Sequence, residues 1–260
     1  MKKVAIIFAG GAGHRMGAEI PKQFLKVCGQ EIIIHTLELF ENNDNIDEIY
    51  IACIDEWIGY LANLIAKFDI NKVVRIFPGG KTGQDSIFIA LNEVKKDHEE
   101  AIVLIHDGVR PLVSEETISK CVDSVLKYGS AITATPCYET PLKSESGEVV
   151  EAMPKRSQMF TAQAPQCFYL NHLYEVHLRE RETNPGYEGI VDSCGLMFKY
   201  GINSHLVEGN RGNIKVTTPE DFFTLIGNLN ARDYEQLLNI GKDQTKEKQK
   251  RIMLGNKKDF

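Results

Sequence analysis

Five apolar runs rich in β-branched residues recur along the chain: KVAIIF (3–8), EIYIACI (48–54), KVVRIF (72–77), AIVLI (101–105) and SAITATP (130–136). Between them lie EIIIHTLELF (31–40), EWIGYLANLIAKF (56–68), QDSIFIALNEVKK (84–96) and SEETISKCVDSVLKYG (114–129), whose apolar residues repeat at helical spacing. Strands alternating with helices predict βαβ units, hence an α/β fold with a doubly wound, mostly parallel sheet. Strands that are apolar throughout fit a sheet covered on both faces. At 43% hydrophobic residues, a chain of 260 residues has enough apolar surface to cover one. Helix starts are marked as well. Ser114 is placed to cap, with Glu115 and Glu116 in the first turn, and TTPEDFFTLIGNL puts Thr218 at a cap and Pro219 at the first helical position.

Residues 137–160 break the alternation. CYETPLKSESGEVVEAMPKRSQMF is polar, carries Pro141 and Pro154, and holds a hairpin pattern at SESGEVV. It reads as a protruding β-arm, an excursion of a length that usually serves as a lid or a subunit contact; a plain surface loop is the other reading. Residues 1–230 form the domain that these elements predict, and the charged run over 231–260 reads as a C-terminal helix or tail.

The formal net charge of −6 argues against a nucleic-acid partner, whose phosphates want a basic face. Cys28, Cys53, Cys121, Cys137, Cys167 and Cys194 are scattered with no C-x-x-C pair, which argues against a zinc site or a disulfide framework and points to a reducing cytoplasm. The apolar stretch Val4–Ala9 is too short for the core of a signal peptide, and no run approaches the roughly 18 apolar residues of a membrane span.

The chemistry concentrates at the ends of the predicted strands. After the first comes AGGAGHRMG, which lacks the Gly-Lys-Ser/Thr of a Walker A loop and has Met16 where a dinucleotide fingerprint has its third glycine. What remains is G-x-G-x-R followed by Pro21-Lys22-Gln23: bare backbone whose N–H groups can crowd a triphosphate, with Arg15 and Lys22 supplying full charges. IHDGVRPLV sets Asp107 and Arg110 at a strand's carboxyl end, where open α/β sheets bind ligands. There Asp107 suits a hydroxylated substrate or a metal, and Arg110 reads as a structural clamp on it. GGKTGQDSI gives a second glycine turn with Ser86 at a helix start, and GNIKVTTPED places Lys215 in a short strand just before the capped helix, where an interior lysine is costly unless it faces a ligand or solvent. His106 reads as a packed, hydrogen-bonded ring, and no Ser-His-Asp or Cys-His constellation is present.

Taken in order, AGGAGHRMG…PKQFL, HTLELF, GG…DSI…AL, HDGVRPLV, AQAPQCF and GNIKVTTPEDF resemble the cytidylyltransferases of sugar and polyol phosphates. The resemblance covers about residues 1–230. It implies a Rossmann-like nucleotidyltransferase fold and a reaction of CTP with a polyol phosphate, with Mg²⁺, giving a CDP-polyol and pyrophosphate. It also implies residue roles. Ala9, Gly10, Gly11, Ala12 and Gly13 resemble the loop around the triphosphate, and Gly80 and Ser86 resemble contacts to the nucleotide's base or ribose. Arg15, Lys22 and Lys215 resemble the catalytic cations. Asp107 resembles the residue that holds the acceptor's hydroxyls and lies by the nucleotide, with a metal as its further partner. Asp192 resembles an acceptor-site residue, and Arg156 an arm residue reaching the neighbouring subunit's acceptor phosphate in a homodimer.

The residues agree with that chemistry on their own. A phosphate acceptor is already a nucleophile, so what must be supplied is positioning and charge neutralisation.

The sequence departs from the family's pattern in its acceptor half. Ala164 and Val191 stand where threonines are usual, Gly83 replaces an arginine, and Glu139-Thr140 stands for Asp-Thr. HDGVRP and DSC lean toward a ribitol 5-phosphate acceptor over 2-C-methyl-D-erythritol 4-phosphate. A transferase of another nucleotide and a non-catalytic nucleotide-binding homologue are the rival classes. The four charges Arg15, Lys22, Asp107 and Lys215 speak against the latter.

Overall fold

The structure, a computed structural model, describes residues 1–11 and 20–231. Arg15, Ala12, Gly13 and the tail beyond 231 lie outside the described residues. A seven-stranded sheet runs in the order β5-β4-β1-β6-β8-β7-β9. Its members are β1 (Lys2–Ala9), β4 (Glu48–Cys53), β5 (Val73–Pro78), β6 (Ala101–Asp107), β7 (Ser130–Pro136), β8 (Phe160–Tyr169) and β9 (Leu206–Glu208). The pairs β5-β4, β4-β1, β1-β6 and β7-β9 are parallel, and only β8 runs against its neighbours. A two-stranded antiparallel ribbon, β2 (Lys26–Val27) and β3 (Gln30–Glu31), stands apart.

Alternation along β1 explains the two layers. Ala5 and Ile7 face a core with α1 (Ile32–Glu41), α2 (Ile58–Lys67) and α4 (Glu115–Tyr128). Val4 and Ile6 face the other, with α3 (Gly83–Asp97), α5 (Leu170–Thr183) and α6 (Ser193–Lys199). Both faces of the strand are buried, so it reads as one apolar run. Ser114 caps α4, its hydroxyl accepting from the Thr117 N–H, and Gly129 ends it at φ 83°, a left-handed position that favours glycine. Thr218 caps the helical turns over 219–231, and the Asp221 carboxylate accepts in return from the N–H groups of Thr217 and Thr218.

The sequence pattern does not disclose β8. It carries Pro165, and proline is usually confined to sheet edges, yet β8 lies between β6 and β7. The exception is local. The β7–β8 register shifts between Ile132 and Ala134, so the ladder passes from Gln166 to Ala162 without using the proline. The Pro165 carbonyl instead accepts from the Thr133 hydroxyl at 2.8 Å.

The segment 137–159 has little regular structure. Lys143 and Ala152 form one antiparallel bridge closing the loop that SESGEVV predicts, and a 3-10 turn follows at Arg156–Gln158. One bridge in place of a ladder is what an exposed ribbon with no sheet behind it can hold.

Candidate active site

β1, β4, β5 and β6 all end on the same edge of the sheet, and the loops leaving them build a cleft of two cavities. The first, of about 260 Å³, brings together Ala9, Gly10, Gly11, Lys22, Gly80, Ser86, Asp107 and Lys215, which the motifs and the resemblance single out. Arg15, Ala12 and Gly13 are not among the described residues.

Lys22 rises from a short 3-10 turn held on both sides. The buried Gln23 amide donates to the Ala9 carbonyl at 2.6 Å, and Phe24 stacks on Trp57 with ring centroids 4.7 Å apart. The second glycine turn is tied to α3. The Gly80 N–H donates to Ser86 Oγ at 3.0 Å, Ser86 Oγ donates to the Thr82 carbonyl, and Thr82 Oγ1 caps the helix. A Cβ at Gly80 would lie 2.3 Å from Asp85 Cβ, so no other residue fits without moving the turn. The Ser86 hydroxyl thus organises the turn while lining the cavity.

Asp107 closes the cavity's floor, 5% exposed. Its Oδ2 accepts from Arg110 Nε at 2.8 Å, and its Oδ1 meets Lys215 Nζ at 2.5 Å. Arg110 also donates to the Asn213 carbonyl, making it the clamp expected from its spacing. Burial pushes the Asp107 carboxyl up, but Lys215 and Arg110 outweigh it and hold the group below the usual carboxylate range. Both oxygens are thereby committed to cations. Among the described residues, no three His, Cys, Asp or Glu side chains stand together around it.

The neighbouring His106 is a packed ring. It is fully buried, edge-on to Phe40 at 5.0 Å, with Nε2 3.1 Å from the Arg110 carbonyl. Burial lowers its pKa from 6.5 to about 4, and burial likewise lowers that of His177, bonded to the Tyr187 hydroxyl, to about 3. Both rings resist protonation in the fold and accept it when unfolded. Their contribution to stability is therefore complete above about pH 6.5 and lost as pH falls from there toward 4 and 3. The cost for His106 is on the order of 3 kcal/mol by pH 4. Urea midpoints are expected to fall steeply between pH 6.5 and 4.5; a flat profile over that window would contradict this burial.

The second cavity, of about 360 Å³, shares Phe8, Gly83, Asp107 and Lys215 with the first. Its other walls come from the start of α3, from Ala162–Ala164 and Gln166 of β8, and from Val191–Ser193. Asp192 lines it, but its oxygens are already engaged: Oδ1 caps α6 through the Gly195 N–H, and Oδ2 accepts from Gln166 at 2.8 Å. Ala164 and Val191 face this same cavity. Arg156 lines neither cavity; it sits on the arm, donating to the Tyr138 carbonyl. Sequence reasoning missed Gln23, Gln84 and Gln166. The motifs PKQ, GQDSI and AQAPQCF contain them, yet nothing in those motifs says which neighbour an uncharged amide will meet.

The family model described as "IspD: 2-C-methyl-D-erythritol 4-phosphate cytidylyltransferase" matches residues 3–226. The chain belongs to the IspD family. Its curated relatives in that family include a ribitol-5-phosphate cytidylyltransferase of Vibrio parahaemolyticus, 47% identical over 85% of this chain and 92% of the relative. Another of that name, from Streptococcus agalactiae, is 40% identical over 91% of this chain and 99% of its own length. A 2-C-methyl-D-erythritol 4-phosphate cytidylyltransferase of Clostridium botulinum is 38% identical over 85% of this chain and 94% of the relative. Among solved structures, the 4-diphosphocytidyl-2C-methyl-D-erythritol synthase of Anaerococcus prevotii superposes with a TM-score of 0.77 at 27% identity, covering 88% of this chain and 96% of that one. As an IspD-family member the chain is a nucleotidyltransferase with the Rossmann-like fold of that family. No helix among the described residues is long and apolar enough to cross a membrane.

Proposed function

We propose that the chain transfers the cytidylyl group of CTP to ribitol 5-phosphate, giving CDP-ribitol and pyrophosphate. One observation carries this reading: two cavities meet at the Asp107–Lys215 pair, one walled by glycine backbone and Lys22, the other by polar side chains of β8 and the start of α6. The relatives at 40–47% identity that bear the ribitol name support the acceptor.

In this reading the triphosphate lies along Gly10 and Gly11, continued by Ala12 and Gly13, with its base or ribose at Gly80 and Ser86. The acceptor occupies the second cavity beside Asp192. An oxygen of the acceptor's phosphate forms a bond to the α-phosphorus. The bond from that phosphorus to the bridging oxygen breaks, and its electron pair leaves with pyrophosphate. No base is required. Lys22 and Arg15 meet the charge that develops on the leaving group, and Lys215, held by Asp107, meets it at the shared wall.

The described residues do not cage a resident metal. Mg²⁺ in this reading arrives on the phosphates of CTP, where it supplies charge neutralisation, as magnesium commonly does.

Tyr138, Leu142, Val149, Val150, Met153 and Phe160 are each exposed along the arm and its return into β8. That supports a homodimer in which the arm, with Arg156, reaches the second copy's acceptor site. The six free cysteines support a cytoplasmic setting.

Pyrophosphate release and product mass across CTP, UTP, GTP and ATP, with ribitol 5-phosphate and 2-C-methyl-D-erythritol 4-phosphate as acceptors, test the reading. CDP-ribitol from CTP is the expected product. Preference for the methylerythritol acceptor, or CTP binding with no turnover, overturns it. A further expected outcome concerns the glycine turn: Gly80→Ala displaces it from Asp85 and lowers kcat/KM for CTP by about 10²-fold, measured at saturating acceptor.

A further inference from the structure

The acceptor-side cavity contains more polar side chains than it has unused polar atoms. Asp107 gives both oxygens to Arg110 and Lys215, and Asp192 gives both to Gly195 and Gln166. Gln166 spends its carbonyl on the Cys194 N–H, and Gln163 pairs with Asn210 and Asn213. Two oxygens remain. Gln84 Oε1, in the first turn of α3, and Ser193 Oγ, at the first position of α6, are buried without a hydrogen-bond partner among the described residues. Both residues line the cavity, at only 4% and 1% exposure, and each enclosed oxygen meets a ligand there by a turn of its side chain.

A buried polar atom left unpaired costs free energy, so a pair of them in one cavity wall needs an explanation. Around them the wall is apolar: Ile87, Ile105, Ala162, Ala164 and Val191 offer no competing side-chain donor or acceptor. An amide oxygen accepts only, and a serine hydroxyl both accepts and donates. Their complement is a ligand that presents hydroxyl groups rather than charge. The cations Lys215 and Arg110, in the same cavity, suit its anionic end.

We infer that Gln84 and Ser193 are specificity-determining residues that read the hydroxyls of the acceptor. The inference rests on the reading of this cavity as the acceptor site.

The unpaired state gives the test its discrimination. Removing a partnerless buried oxygen does not destabilise the free protein, whereas removing a structural hydrogen bond does. Ser193→Ala and Gln84→Met are to be compared with the parent in steady-state assays with CTP, using ribitol 5-phosphate and a panel of its monodeoxy analogues, alongside thermal melting without ligand. Each variant is expected to lose about tenfold in kcat/KM for ribitol 5-phosphate, with the KM for CTP unchanged and the melting midpoint equal or higher. For at least one monodeoxy analogue, parent and variant are expected to turn over alike, because the hydroxyl that the side chain reads is already gone. Variants within about threefold of the parent on the full acceptor, an equal loss on every analogue, or a lowered midpoint overturn the inference and leave the proposed function standing. If the parent accepts a different polyol phosphate, the acceptor assignment fails and the same comparison runs on that acceptor. A parent with no turnover on any polyol phosphate overturns both.

Discussion

Lys215→Ala is expected to lower kcat by about 10²- to 10³-fold, the scale of losing one preorganised stabiliser of developing charge. Lys215 reaches the wall that the two cavities share, so it is placed where the two substrates meet. Its ammonium is fixed before any substrate arrives, by Asp107 Oδ1 at 2.5 Å and by the face of Phe8 with its centroid at 5.7 Å. Preorganisation of this kind acts on the transition state more than on the ground state, so the loss belongs in kcat rather than in the KM for CTP. Lys215 itself is 40% exposed, but its loss leaves the buried Asp107 carboxylate with Arg110 as its one cation, so the melting midpoint is expected to fall, though by less than on loss of Asp107 itself. Pyrophosphate release from saturating CTP and acceptor measures the effect, and turnover within tenfold of the parent removes Lys215 from the chemistry. Lys22→Ala should behave similarly, because Gln23 and Phe24 keep the turn in place without the lysine's charge.

The residues that sequence located are those whose chemistry is unusual for their position. Glycines at a strand end, a lysine in an apolar segment that patterns as a short strand but folds as irregular backbone, and an Asp-x-x-Arg pair each break a local pattern, and the fold brings them to one edge. The strands β1, β4, β6 and β7 were legible because burial on both faces leaves a largely apolar run, and the edge strand β5 because it is rich in β-branched residues. β8 was not, because its hydrogen-bonding neighbours β6 and β7 come from more than twenty residues away and its proline mimics an edge. Everything that β8 carries into the site was hidden with it. Gln163, Ala164 and Gln166 meet Asp192 and Ser193 only after the sheet closes, and an uncharged amide carries no periodicity or charge that would announce such a meeting. The same holds for Asp107. Its strand-end position marked a carboxylate for a ligand, and the return of residues 213–216 beside it, with the Val216 N–H on the Val109 carbonyl, brings Lys215 onto Oδ1.

Asp107→Ala is expected to be the most damaging single substitution in the cleft, costing about 3–5 kcal/mol of stability together with most of the activity. The carboxylate is the common counter-ion of Arg110 and Lys215, and deleting it strands them unequally. Lys215 can turn into the cleft and regain water. The Arg110 side chain is 13% exposed, and it keeps its bond to the Asn213 carbonyl but no carboxylate, so its charge is left without a counter-ion in a desolvated setting. Two further variants separate this from a simple loss of packing. Asp107→Asn keeps the shape and one acceptor oxygen and should recover part of the stability, while turnover stays low because Lys215 has lost its anchor. The double variant Asp107→Ala/Arg110→Met removes the stranded charge and should be more stable than Asp107→Ala alone, a non-additivity that urea denaturation reads directly. If the two substitutions merely add, burial of an unpaired charge is not what Asp107 prevents, and its role in the cleft reduces to filling space.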